Sequence, residues 1–322
     1  MDQHHALPSP ASGPGSAKLP HPAGGPVALA GATGDLGSRV AAELVALGAP
    51  VRALVRPGTA ADKQARLADL GVAVVEVDYA DRAALRAAVE GASVVVSALS
   101  GLRPVIVDTQ TQLLAAAEGA GVPRFMPSDF AIDFTRLPEG SNRNLDLRRE
   151  FQRVADASPL RVTSILNGAF TDMLTGVAPF ILFGPRKILC WGDPAQKMDW
   201  TTIADTARYT ARAALDPDTP RWLRIAGDQV SARDLAATMT ELTGKQHGIF
   251  RPGGPGLLGV LVALTKTFTP ASDALYPPWQ GMQYMRDMYS GLPKFTVVDN
   301  GRYPMVWTSA RDVLARHLAA KP

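Results

Sequence analysis

One stretch decides the fold of this chain: Gly31-Ala32-Thr33-Gly34-Asp35-Leu36-Gly37. A short apolar run over residues 27–30 precedes it and is typical of a buried strand, while residues 38–47 behind it show the spacing of an amphipathic helix. The glycines therefore lie on a turn from a strand into a helix. Gly31 takes the tight bend, Gly34 lets backbone N–H groups approach a ligand, and Gly37 lets the helix pack on the strand. The helix N-terminus offers unpaired N–H groups and a partial positive charge, which suit a pyrophosphate.

The glycine spacing, G-x-x-G-x-x-G, and the strand that follows it predict which dinucleotide binds. An ordinary glycine-rich turn is the alternative, but strand, turn and helix all fall where dinucleotide binding needs them. The strand at residues 50–55 ends at Arg56, about 20 residues past the turn, where an NAD site would carry Asp or Glu. A guanidinium can pair with a 2′-phosphate, so we predict NADP(H) rather than NAD. The alternative is a solvated arginine in front of Pro57-Gly58.

The rest of the chain repeats this alternation of strands and helices, which is typical of a doubly wound parallel α/β sheet. After the first helix we predict strand 50–55, helix 61–70, strand 72–77, helix 82–89, strand 93–98, helix 104–119, strand 124–126, helix 145–157 and strand 161–166. We expect a dinucleotide-binding domain at residues 26–168, with its sheet completed by residues 221–226. A smaller α+β lobe at residues 169–220 and 227–322 is expected to cover the substrate.

Composition narrows the classes of protein and partner. The 322 residues are 46% hydrophobic and 20% charged, enough for a large core. The net charge of +3 is dispersed, which argues against a nucleic-acid partner. Cys190 is the only cysteine, which excludes an intramolecular disulfide and a cysteine-rich metal site. Three of the five histidines lie at positions 4, 5 and 21, so we expect no metal site.

Three further stretches of the sequence carry expectations. Residues 1–25 are rich in Pro, Gly, Ser and His, and we expect a disordered leader there. The longest apolar run elsewhere, residues 257–264, is too short to span a bilayer, so we expect a cytoplasmic protein with no membrane partner. Residues 250–295 are rich in aromatic residues and methionine and predict a helical lid over the carboxyl edge of the sheet. The alternative is that most of these side chains form the core of the smaller lobe.

Several motifs together resemble one known group, the NmrA-like and isoflavone-reductase-like atypical short-chain dehydrogenases. They are the glycine turn, Ala53-Leu54-Val55-Arg56, Asp78-Tyr79, Ser97-Ala98 and, most specifically, Gly121-Val122-Pro123-Arg124-Phe125-Met126-Pro127-Ser128-Asp129-Phe130. The resemblance runs from about Val27 to His317. It implies a Rossmann domain, NADP(H) as cofactor and a C-terminal lobe over the substrate.

The resemblance also implies roles for individual residues. The glycine turn would hold the pyrophosphate, and Arg56 the 2′-phosphate. The remaining candidates for cofactor contact are Asp78 and Tyr79 by the adenine, Ala98, Leu99 and Ser100 by the ribose, Asn167 and Phe170 by the nicotinamide, and Ser128 at the end of its strand.

The residues for proton transfer depart from the group. Typical short-chain dehydrogenases use Tyr-x-x-x-Lys, but none of the six tyrosines is followed by a lysine four residues on. The aromatic-alcohol reductases of the group carry a lysine on the helix before the sixth strand, where this sequence has Arg148 and Arg149. Arginine can polarise a carbonyl but cannot pass a proton at neutral pH. Arg149 is closer to the expected position, with Arg148 as the alternative; surface arginines that pair with nearby acids explain the pattern equally well.

Two functions follow. The first is an NADP(H)-dependent reductase of a small aromatic or apolar carbonyl, enone or ether, in which Arg149 or Arg148 is the electrostatic group and Ser128, Asp129 or a lid tyrosine passes the proton. The alternative is a non-catalytic NADP-binding, redox-sensing regulator of the NmrA type with a protein partner. The absent Tyr/Lys pair disfavours an epimerase or dehydratase. A small-molecule substrate is the expected partner, and a homodimer is left open.

Overall fold

A computed structural model describes residues 24–268 and 273–320. All but the last two residues of the leader predicted at residues 1–25 lie outside that part. The strands are β1 (Val27–Ala30), β2 (Val51–Val55), β3 (Ala73–Glu76), β4 (Val94–Ser97), β5 (Arg124–Met126), β6 (Arg161–Val162), β7 (Ser164–Leu166), β8 (Ala169–Phe170), β9 (Ile181–Leu182), β10 (Lys187–Trp191), β11 (Met198–Thr201), β12 (Trp222–Arg224), β13 (Asp228–Val230) and β14 (Gly248–Gly253).

The α-helices alternate with these strands and are supplemented by short helices of other types. They are α1 (Asp35–Ala46), α2 (Ala61–Asp69), α3 (Arg82–Val89), α4 (Gln110–Gly119), α5 (Arg143–Asp156), α6 (Ile203–Leu215), α7 (Ala232–Thr243), α8 (Pro255–Phe268), α9 (Pro278–Tyr289) and α10 (Ala310–Ala319). A π-helix covers Pro104–Thr109, and 3-10 helices cover Phe134–Arg136, Thr171–Thr175 and Asn300–Arg302. Across the described ranges, no helix combines the length and apolarity that crossing a bilayer requires.

The central sheet has six parallel strands in the order β3-β2-β1-β4-β5-β6. Its middle strands β1 and β4 are buried throughout, as a sheet covered on both faces requires. Helices α1 and α6 pack on one face around Leu44 and Tyr209, and α3, α4 and α5 pack on the other around Phe151. The predicted doubly wound α/β sheet is confirmed.

The last predicted strand of the sheet, residues 161–166, is split in two. β6 pairs with β5, and after Thr163 the chain continues as β7, which pairs in parallel with β12. β12 lies within residues 221–226, where the sequence predicts a strand that returns to the sheet. The change of partner at Thr163 leaves Asn167 at the carboxyl edge, next to the end of β5.

One predicted helix, residues 104–119, has two parts. Its first turns form the π-helix, and only Gln110–Gly119 is α-helical. The Thr109 hydroxyl donates to the Pro104 carbonyl oxygen at 2.8 Å, which closes a wider loop of five residues. The apolar spacing in the sequence is the same for both parts, so it could not predict where the π-helix ends and the α-helix begins. π-turns are frequent at functional sites.

The smaller lobe is built from two three-stranded mixed sheets, β14-β10-β9 and β13-β11-β8, and from helices α7 to α10. Its core centres on Trp200, whose ring meets that of Phe180 edge-on at 5.0 Å. The predicted lid at residues 250–295 begins with strand residues of β14 rather than a helix, because they pair with β10. Met285, Met288 and Tyr289 of α9 belong to the lobe core, which is the alternative that the sequence left open.

Candidate active site

The glycine turn is a cradle made of backbone. Gly31 has φ +81°, and a Cβ there would lie 2.6 Å from the Ala98 carbonyl oxygen. A Cβ on Gly37 would lie 2.1 Å from the Gly31 carbonyl oxygen, so both positions exclude a side chain. Gly34 has only that same oxygen nearby, at 3.4 Å, and it begins α1 without a side-chain cap. The first N–H groups of α1 therefore remain available to an anion.

A cleft of about 660 Å³ opens from this cradle along the carboxyl ends of β1, β2, β3 and β4. It brings together most of the residues predicted to bind the cofactor: Gly31, Thr33, Gly34, Arg56, Asp78, Tyr79, Ala98, Leu99 and Ser100. Val105, Thr109 and Gln112 also line the cleft, and they were not predicted from the sequence. These residues come from the π-helix and α4, and no motif marks them.

Arg56 and Tyr79 form the far end of this cleft. Arg56 is exposed at the end of β2, and its carbonyl oxygen accepts from the Thr59 hydroxyl at 2.7 Å, which fixes the turn. The Tyr79 hydroxyl donates to the Leu54 carbonyl oxygen at 3.1 Å. Burial raises the pKa of Tyr79, and the Arg56 guanidinium lowers it in part. Arg56 is thus a cation beside a neutral, fixed aromatic ring.

Six predicted cofactor residues lie outside the lining of this cleft: Asp35, Leu36, Gly37, Ser128, Asn167 and Phe170. Asp35 pairs with Arg39 at 2.7 Å on the exposed side of α1, and Leu36 packs against the core. Phe170 is half-buried against the same core. Ser128 is buried, and its hydroxyl donates to the Leu99 carbonyl oxygen at 2.7 Å. Ser128 therefore holds the cleft wall in place.

Asn167 carries a buried side-chain amide. It is fully buried after β7, and in the part of the chain that the structure describes neither its Oδ1 nor its Nδ2 has a hydrogen-bond partner. Gly168 follows at φ +68°, and a Cβ there would lie 2.3 Å from the Asp199 carbonyl oxygen. An unpaired buried amide costs about 1–3 kcal/mol, so Asn167 is a polar group whose partners the described residues do not supply.

The two arginines of α5 point to different places. Arg149 donates to the carbonyl oxygens of Phe134 and Leu137, and it pairs with Asp146 at 3.2 Å. Arg148 donates from Nη1 to the Asn144 carbonyl oxygen at 3.1 Å, and its buried Nε has no partner within residues 24–268 and 273–320. The geometry therefore favours Arg148 over Arg149, the first choice from sequence, because the Arg149 guanidinium is occupied in holding a loop.

The charge of Arg148 acts on an acid and on a tyrosine. Asp129 is buried after β5; its Oδ2 accepts from the Ser164 hydroxyl at 2.6 Å, while its Oδ1 has no partner among the described residues. Burial raises the pKa of Asp129, and the Ser164 bond and the charges of Arg148 and Arg221 lower it in part. Burial likewise raises the pKa of Tyr284 on α9 to about 12, against the charge of Arg148.

These residues connect to the lining of the cleft through Ser128. Leu99 lines the cleft, Ser128 holds Leu99, and Asp129 follows Ser128 in the chain. The sequence left Tyr284 as an unnumbered lid tyrosine. The polar residues Gln280, Gln283 and Asp287 share its helix face and were the one signal that could have singled it out.

Comparison with known proteins places this architecture in a family. A model of the NmrA-like family matches residues 25–248. The chain belongs to the NmrA-like family. The resemblance proposed from the motifs is therefore confirmed.

Two relatives and one structural neighbour of this NmrA-like protein carry the word reductase in their names. It is 32% identical over 232 residues to an isoflavone reductase homolog of Zea mays, covering 68% of this chain and 74% of that one. It is 31% identical over 238 residues to pinoresinol reductase 2 of Arabidopsis thaliana, covering 68% and 75%. In fold it is similar to a crystal structure of isoflavone reductase, with a TM-score of 0.76 at 22% identity over 90% of this chain and 98% of that one.

Proposed function

We propose that this NmrA-like protein is an NADP(H)-dependent reductase of a small aromatic or apolar carbonyl, enone or ether. The observation that carries the proposal is Arg148, a half-buried cation whose buried Nε has no hydrogen-bond partner among the described residues. The names of its relatives, which include isoflavone and pinoresinol reductases, support the same chemistry.

The residues of the cleft fit NADP(H). The cradle at Gly31 and Gly37 leaves room for a pyrophosphate on the uncapped N-terminus of α1. Arg56 would hold the 2′-phosphate, and Tyr79 would form part of the adenine wall. The unpaired amide of Asn167 would bond the carboxamide of the nicotinamide. When bound, NADPH supplies a hydride to a substrate carbon.

The protein's own residues supply the electrostatics and the proton. Arg148 would donate to the substrate oxygen as negative charge develops on it, which is the step that a preorganised cation accelerates. Arginine cannot release a proton at neutral pH, so another group must protonate that oxygen. Tyr284 fits this role, because its pKa of about 12 keeps the phenol protonated and because the charge of Arg148 acts on it. Ser128 fits it less well, since its hydroxyl is committed to Leu99.

The substrate class follows from the side chains that adjoin Tyr284. The ring of Tyr276 lies 6.4 Å from that of Tyr284 and is largely exposed. Aromatic rings of this kind bind flat apolar molecules, and a few polar groups fix the orientation. Arg148 and Tyr284 would be those polar groups.

NADPH oxidation with a panel of aromatic enones, aromatic ketones and lignan-like benzylic ethers tests the proposal. We expect turnover with at least one class, and loss of that turnover in Arg148→Met. A protein that binds NADPH tightly and oxidises it with no compound of the panel would contradict the reductase. That result would favour the redox-sensing regulator, because the family's lysine is replaced here by a residue that cannot pass a proton.

A further inference from the structure

One face of α9 is polar where a buried helix face is ordinarily apolar. Gln280, Gln283 and Asp287 recur at helical spacing, and their exposed fractions are 0%, 3% and 3%. Burying such groups is unfavourable unless each is hydrogen-bonded, so this face must meet a matching set of donors and acceptors. Tyr284, the proposed proton donor, lies on the same face.

The matching set is the N-terminus of α5. Asn142, itself 1% exposed, accepts from Gln280 Nε2 at 2.8 Å and donates from Nδ2 to Asp287 Oδ2 at 2.9 Å. The Arg143 backbone N–H donates to Gln283 Oε1 at 3.2 Å. Asn142 is also the N-cap of α5, since its Oδ1 accepts from the Leu145 backbone N–H at 3.4 Å. One amide therefore both begins α5 and binds α9.

We propose that Asn142 is a positioning residue, which holds α9, and with it Tyr284, against the N-terminus of α5, the helix that carries Arg148. The proposal rests on the proposed function. Arg148 lies six residues after Asn142 on the rigid helix α5, a rise of about 9 Å. Directional hydrogen bonds fix the rotation and translation of α9 in a way that an apolar contact between the helices would not.

Exchanging the amide of Asn142 and the carboxylate of Asp287 tests the positioning role of Asn142. Asn142→Asp keeps the N-cap, because Asp caps helices as well as Asn does, but it opposes two carboxylates at the contact with Asp287. The double variant Asn142→Asp/Asp287→Asn restores one amide and one carboxylate in exchanged positions. In the double variant, the side-chain amide oxygen at position 287 can still accept from Arg286, which in the wild type pairs with Asp287 at 2.6 Å.

Gln152→Glu is the matched control. Gln152 lies on the same helix and donates to Asp156 at 3.3 Å, so the variant introduces the same like-charge pair away from α9. Three measurements are compared: hydrogen exchange of the amides at residues 278–289, the Kd for NADPH, and kcat and KM for the substrate.

In Asn142→Asp we expect faster exchange across α9 and a kcat/KM lower by roughly tenfold to a hundredfold, with an unchanged Kd for NADPH. The double variant should recover both, and Gln152→Glu should change neither. Unchanged exchange in Asn142→Asp, or recovered exchange without recovered kcat/KM in the double variant, would overturn the proposal. A wild type that oxidises NADPH with no substrate overturns the proposed function itself, and the exchange data then show whether Asn142 still holds α9.

Discussion

The nucleotide cleft and the contact between α5 and α9 are constructed from different parts of the chain. The cleft begins at backbone: Gly31 and Gly37 lie so close to neighbouring carbonyl groups that no side chain fits. The α5–α9 contact consists of buried side chains, with Asn142 bonded to Gln280 and Asp287 across 138 and 145 residues of sequence. The backbone cradle fits a cofactor shared by many enzymes, whereas we propose that the α5–α9 contact places the groups specific to one reaction.

The largest expected effect lies in the backbone cradle. Gly34→Val places a branched side chain over the uncapped N-terminus of α1 and should abolish NADPH binding, while cooperative melting is retained because Gly34 has no close protein neighbour except the Gly31 carbonyl oxygen. Calorimetric titration with NADPH measures it. Gly37→Ala is the contrasting variant, since its Cβ would lie 2.1 Å from that oxygen and should lower the melting temperature. Normal NADPH affinity in Gly34→Val would place the cradle elsewhere.

The next effect separates two neighbours on α5. Arg148→Met should lower single-turnover NADPH oxidation by the order of 10² with unchanged NADPH affinity, because the substrate oxygen loses its cation. Arg149→Met should leave turnover nearly intact but lower the free energy of unfolding by about 1–3 kcal/mol, because the Phe134 and Leu137 carbonyl groups lose their donor. Equal losses of turnover in both variants would contradict this division of roles.

A smaller effect is expected at the far end of the cleft. Arg56→Ala should weaken NADPH binding by about ten- to a hundredfold, the equivalent of one charge-assisted contact, and leave NADH binding unchanged. Arg66→Ala, at an exposed residue that pairs with Asp62 at 3.2 Å, is the control. Wild-type protein that binds NADH and NADPH equally would exclude a 2′-phosphate contact.

The smallest effect concerns stability against pH. Burial raises the folded-state pKa of Asp129, so the folded protein holds that proton more tightly than the unfolded chain does. Stability from this group is present at low pH and is lost as pH rises above the ordinary carboxyl pKa of about 4. Asp129→Asn should therefore increase the free energy of unfolding at neutral pH, by an amount that shrinks on acidification in urea titrations. If Asp129→Asn is instead less stable at neutral pH, the favourable charges of Arg148 and Arg221 outweigh the cost of burying the Asp129 carboxylate.

The sequence predicts the nucleotide cleft better than the α5–α9 contact. Gly31, Gly34 and Gly37 are local and periodic, so the strand, turn, helix and cofactor could be predicted together. The arginines could be placed on α5, but the choice between Arg148 and Arg149 depended on the loop at residues 134–137, which a helical period does not reveal. The proposed roles of Tyr284 and Asn142 depend on a contact between distant segments. The polar spacing on α9 marks one side of that contact, but a single sequence contains no direct signal for its partner on α5.

Transfer of deuterium from NADPH labelled at the nicotinamide C4 tests the central claim most directly. With a substrate that the panel identifies, we predict that the product gains the label from the cofactor at carbon, and that Arg148→Met slows the transfer without weakening NADPH binding. In deuterated solvent with unlabelled NADPH, the same carbon should remain unlabelled, since the solvent proton goes to oxygen. Tight binding of the labelled cofactor with no transfer to any compound would contradict the account.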